Sequence, residues 1–175
     1  MKTPLATLWW LALVSSPLAL SAQAVAHQSP AAIVSPIQHE NDLLALAHTA
    51  AQADDDSTVE SQLFVPSTLP EAPAPSILLA RRAMALCGRL QNEDEYARAS
   101  RLAVRVLAKL ATLKEITDTA REERLYWEAC LEAQILDHKV RAIALLRAAE
   151  KLAPDDSRVT DLELPLVAAV NSFGH

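Results

Sequence analysis

From Ser76 onward, apolar side chains recur at the spacing that lines one face of an α-helix. The pattern predicts four helices, over about 76–91, 94–114, 119–136 and 138–153. In the second, Ala99, Leu102, Ala103, Val106, Leu110 and Leu113 share a face. Arg98, Arg101, Arg105 and Lys109 form a stripe on another side, which reads as a solvated face. Start signals accompany the pattern: Asn92 or Asp94 as N-cap of the second helix, Thr119-x-x-Glu122 as a capping box, and Asp137 as N-cap of the fourth. Pro154 stands just past the end of the fourth. A last apolar stretch, 162–170, predicts a helix beginning near Pro165.

Upstream the pattern changes. Leu43, Leu44, Leu46, Ala47, Ala50 and Ala51 support a short helix over 42–53. Asp54-Asp55-Asp56 should stop it, because negative charge opposes the dipole at a helix C-terminus. Pro66, Pro70, Pro73 and Pro75 then restrict the backbone and remove donors. The expectation is a flexible, proline-rich arm over 27–75 and an α-helical domain over 76–175. The first residues are of another kind. A positive start at Lys2, an apolar run over 5–20 and the small residues Ala22-Gln23-Ala24-Val25-Ala26 have the layout of a cleaved signal peptide over 1–26. Pro17 and the shortness of the run disfavour an uncleaved anchor, and no other segment is apolar enough to span a membrane. The mature chain is expected to be exported, and periplasmic or secreted if the source is bacterial.

Composition sharpens this picture in two ways. Two glycines in 175 residues, with alanine and leucine abundant, favour an all-α fold. A net charge of −6 argues against a nucleic-acid partner, because phosphate contacts need a basic footprint.

Paired helices closed by proline invite a search for repeats. At residues 123–156, Tyr126 stands at an aromatic position, with Ala129 and Cys130 after it. Ala142, Leu146, Ala149 and Pro154 follow at the spacing of a small–large–small pattern closed by proline. This unit resembles the tetratricopeptide (TPR) repeat, a 34-residue helix pair. Cys130 occupies the usual glycine position and Ala133 the second tyrosine position, so two signature residues differ. Shifting the unit back by 43 residues aligns Arg124 with Arg81, Cys130 with Cys87, Gln134 with Gln91 and Ala142 with Ala99. That suggests a second, degenerate unit over about 80–113, and the resemblance covers roughly half the chain.

The resemblance implies a short hairpin array of about two repeats plus a C-terminal capping helix. It also implies a role in binding a protein or peptide on the inner face of the first helices. Those positions are Arg81, Met84, Gly88 and Gln91 in one unit, and Arg124, Trp127, Leu131 and Gln134 in the other. Trp127 and Leu131 are equally readable as core residues. Two repeats bury little, since three are normally needed. Either the 42–53 and 162–170 segments cap the ends, or the chain pairs with another copy. An oligomeric envelope subunit without a separate ligand is therefore the alternative.

Catalytic and metal motifs are missing from the sequence. His27, His39, His48, His138 and His175 do not pair at ligand spacing, and no HExxH, CxxC or GxSxG occurs. Asp54-x-Asp56-x-Thr58-x-Glu60 lacks the glycine and terminal glutamate of a calcium loop. Glu128 and Glu132 read as a solvated face. Neither enzyme activity nor a cofactor is expected. Cys87 and Cys130 leave two readings open: a disulfide, which export would permit, or two small buried thiols at equivalent positions of neighbouring helices.

Overall fold

A computed structural model describes residues 36–67, 72–114 and 117–172, all within one unit of the chain. The segment read as a signal peptide lies outside the described residues, as do residues 27–35. The described chain is all-α. Its seven helices are α1 (Pro36–Gln52), α2 (Asp56–Leu63), α3 (Pro75–Asn92), α4 (Tyr96–Leu110), α5 (Asp118–Cys130), α6 (Lys139–Glu150) and α7 (Ser157–Ser172). A π-helical turn over Leu131–Ile135 extends α5. Helices pack as adjacent pairs: α1 with α2, α3 with α4, α5 with α6, and α7 against α6. The first helices of successive pairs also touch, α1 on α3 and α3 on α5.

Each of the three pairs turns in the same way. The connections cover residues 53–55, 93–95 and 136–138, and the middle residue is aspartate every time. Asp54, Asp94 and Asp137 take φ of 54°, 62° and 56°, the left-handed region that closes a helix. The next N–H then reaches back to a free carbonyl, Asp55 to Ala50 at 2.9 Å and Glu95 to Leu90 at 2.8 Å. Asp55 also N-caps α2, its carboxylate accepting from Thr58 N–H at 3.1 Å. The aspartate run that the sequence marks as a stop is thus a stop and a restart. In the third turn His138 N–H bonds the Glu132 carbonyl at 2.8 Å, one residue further back. That additional residue is accommodated by the π turn.

Two cores result. The larger gathers Ala47, Val59, Leu63, Leu79, Leu86, Cys87, Leu90, Leu102, Val106 and Leu110 with Leu131 and Ile135. The smaller joins α5, α6 and α7 through Ala129, Ala142, Ile143, Leu146, Ala149, Val159 and Leu166, with Tyr126 packed on it. The alanines bring these backbones close, and the larger side chains fill the remaining space.

The flexible-arm reading of 27–75 is overturned over 36–67. Val59 and Leu63 of α2 are 1% and 2% exposed and belong to the larger core. Arg82 fastens this pair to α3. Its guanidinium, 3% exposed, donates Nε–H to Glu40 at 2.9 Å and forms a second bond to the same carboxylate. It also donates to the carbonyls of Leu63 at 3.1 Å and Val65 at 2.5 Å, at and just past the end of α2. The last helix begins at Ser157 rather than near Pro165, which lies inside it. The α5 cap is Thr117, whose hydroxyl accepts from Ala120 N–H at 3.1 Å, so the Thr119–Glu122 capping box does not form. At α4 and α6 the N-cap positions belong to Glu95 and His138.

Candidate functional site

The side-by-side first helices create a strip of polar and aromatic side chains. Arg81 of α3 pairs with Glu123 of α5 at 2.5 Å, and its guanidinium lies 5.6 Å from the centre of the Trp127 ring. Tyr126 meets Trp127 edge-on at 5.4 Å. Further along, Gln91 donates its side-chain N–H to the Gln134 carbonyl at 3.3 Å. Met84 is half-buried against the larger core. Between Met84 and Gln91 stands Gly88, where an added Cβ would meet no atom within 4 Å. The α3 surface is therefore open at its middle. Towards α1 the strip continues through Glu93, which lies 2.8 Å from His48 Nε2 and accepts from Gln52 at 3.1 Å. These hydrogen bonds hold the Glu93 carboxyl below its ordinary range.

Arg81 thus meets Trp127, and Gln91 meets Gln134, with Met84 on the same helix between the two contacts. Leu131 and Arg124 do not join them. Leu131 is fully buried in the larger core. Arg124 turns away to donate to the carbonyls of Leu110 at 3.3 Å and Leu113 at 2.8 Å, at the end of α4. It does for α4 what Arg82 does for α2. Arg124 is therefore the counterpart of Arg82, at an offset of 42, the separation that also pairs Arg81 with Glu123. Within the π turn the offset becomes 43, as between Gln91 and Gln134. The uniform shift of 43 therefore moves the part of α5 before the π turn one position out of register and sets Arg124 opposite Arg81 rather than Arg82. Glu123 is the member of the strip that the repeat alignment misses. Its signal in the sequence is charge complementarity to Arg81 at offset 42.

Two carboxylates, Glu132 read as solvated and Glu122 read as a capping residue, are inside. Glu132, on the π turn, is 1% exposed and meets His138 Nδ1 and Arg141 Nε, both at 2.9 Å. Glu122 is 4% exposed, with Oε1 accepting no hydrogen bond. Arg158 stands 3.7 Å from it, bonds Asp156 at 2.6 Å and lies 5.0 Å from the centre of the Tyr126 ring. Burial first, and Asp156 second, push the Glu122 carboxyl above its ordinary range. Hydrogen bonding to Arg158 draws Asp156 down to about 2.

Cys87 and Cys130 are free and buried, which corrects the disulfide reading. Cys87 donates to the Ala99 carbonyl at 3.4 Å, and burial pushes its thiol up to about 12, so it stays protonated and inert. Burial also raises Cys130, beside Tyr126. Tyr126, Ala129, Cys130, Ala142, Leu146 and Ala149, expected from the pattern to pack the α5–α6 pair, are partly or fully buried there, and Pro154 lies in the turn after α6. Among the described residues no three His, Cys, Asp or Glu side chains are grouped to hold a metal, and no helix is long and apolar enough to cross a membrane. No protein-family model matches the chain, and no similar curated protein or solved structure is found.

Proposed function

We propose that the chain is an exported, tetratricopeptide-like module that binds an extended protein segment along its first helices. The observation that carries this reading is the strip over α1, α3 and α5, open at Gly88 and flanked by the Arg81–Trp127 stack. Pairs of helices joined by three-residue turns, with their first helices side by side, support the repeat-like reading. A guanidinium on an indole face, with the half-buried Met84 on the same helix, suits a segment carrying carboxylates and apolar side chains.

A photo-crosslinking residue in place of Gly88 tests the proposal in living cells. A Cβ at Gly88 meets no neighbouring atom, so the substitution starts without a clash. An adduct with a different polypeptide is expected at this position, and its yield should fall with Arg81→Glu. The same group at Ser100, on α4, should give none. Adducts from Ser100 alone, or from neither position, would defeat the reading.

The second reading, a self-assembling subunit, is favoured by the α6–α7 edge. Val140 is 70% exposed there, beside a shallow groove of about 320 Å³ lined by Val140, Ile143, Val167 and Val170. It predicts adducts at twice the chain mass, and a solution mass that falls to one chain in Val140→Lys.

A further inference from the structure

A cleft on the other side of α3 has a different character. It lies between α2 and α4. Its volume is about 330 Å³, within the range of small-molecule sites. Leu63 and Phe64 form one wall, Val106 the other, and Leu79 the floor. Leu79 is 1% exposed overall, so the cleft reaches down to the core.

The rim is polar and mostly cationic. Lys109 places its ammonium 5.3 Å from the centre of the Phe64 ring, and among the described residues it has no ion pair. Arg105 pairs with Asp56 through one terminal nitrogen, while its Nε–H is buried and donates to no protein atom. Among the described residues, Glu60 is the only carboxylate lining the cleft. A buried guanidinium N–H without an acceptor is unfavourable, and an anion at the rim would satisfy it. The sequence places Arg105 and Lys109 on a solvated stripe. Their placement over an apolar cleft gives that stripe a use.

We propose that this cleft binds a small amphipathic carboxylate, with its apolar chain against Leu63, Leu79 and Val106 and its head group between Arg105 and Lys109. The two ends answer different parts of the cleft. The walls contribute affinity through apolar burial, and the cations select the charge of the head. The site is separate from the strip on the first helices and does not depend on it.

Calorimetric titration of the whole mature chain with decanoate, decanol and decyltrimethylammonium tests the proposal. Decanoate should bind one to one, decanol about tenfold more weakly, and the cation not measurably. Lys109→Glu should weaken decanoate about tenfold and leave decanol unchanged. Ala108→Trp, at an exposed position on the cleft edge, should weaken both. Both changes are on the surface, and thermal melting checks that the variants fold. Absence of saturable decanoate binding overturns the proposal and leaves the cleft to an apolar side chain of a protein partner. Equal binding of decanoate and decanol, or binding untouched in both variants, overturns it as well.

Discussion

Arg82 and Glu132 are both almost fully buried charges, yet they belong to differently built parts of the molecule. The first four helices close around the larger core, and their buried charge is a cation whose partners are a carboxylate and two carbonyls. The last three helices close around the smaller core and bury carboxylates, Glu122 and Glu132, whose cationic partners reach in from the surface. Arg141 is 71% exposed and His138 55%. The difference concerns what remains when the charge is removed. Without Arg82, carbonyls at the end of α2 are stranded where water reaches poorly. Without Glu132, its partners swing back into solvent.

The largest effect should follow from Arg82→Met. Breaking a buried charge pair from one side destabilises by about 3–5 kcal/mol. The partly exposed Glu40 places the expectation near about 3 kcal/mol, read from urea unfolding. Arg82→Lys keeps the charge but loses the planar fork, so it should fall between the variant and wild type. The loss should be concentrated in α1 and α2, seen as faster amide exchange there than in α6. A uniform loss of protection would show that the two cores unfold together, and the comparison would fail.

Glu122 tests the other part through pH. Its folded carboxyl lies above the ordinary value, so its contribution to stability is greatest at low pH and is lost as pH rises through the folded pKa. Glu122→Gln removes that dependence and can still donate to Asp156. At neutral pH the variant should be more stable than wild type by about 1 kcal/mol. The gap should close as pH falls towards the ordinary glutamate range. Asp156 acts in the opposite sense, its contribution being lost only as pH falls towards about 2. Urea midpoints at several pH values between neutrality and mild acid check this, and a gap that widens on acidification would reverse the argument.

The periodic stretch from Ser76 to Ala153 was legible because long helices with apolar faces announce themselves. Helix α2 was not. It carries just two buried side chains, Val59 and Leu63, in eight residues, and prolines follow it. Its packing depends on Arg82, whose partners lie 17 to 42 residues away. The strip on the first helices was half legible. Arg81, Met84, Gln91, Trp127 and Gln134 lie along it, but the π turn, with one additional residue, holds Leu131 and Glu132 buried against the pattern. Such an insertion has no local signature in side-chain type.

Glu132→Leu gives a smaller change and bears directly on why the π turn persists. Replacing a buried ion by an apolar side chain of similar size is often neutral or favourable. Here the freed His138 and Arg141 are exposed, so the change should lie within about 1 kcal/mol of wild type.

The three aspartate turns permit the finest test. Asp54 offsets its left-handed backbone by pairing with Arg98 at 3.1 Å, and Asp137 does so by pairing with Lys139 at 2.5 Å. Asp94 has no ion pair among the described residues, and it holds φ of 62° unaided. Glycine adopts that conformation without a Cβ clash. Asp94→Gly should therefore stabilise the chain by about 0.5–1 kcal/mol, raising the melting temperature by a few degrees. Asp54→Gly and Asp137→Gly should gain less, because each also gives up its cation. If all three gain equally, the surface pairs contribute nothing and the turns are governed by backbone conformation alone.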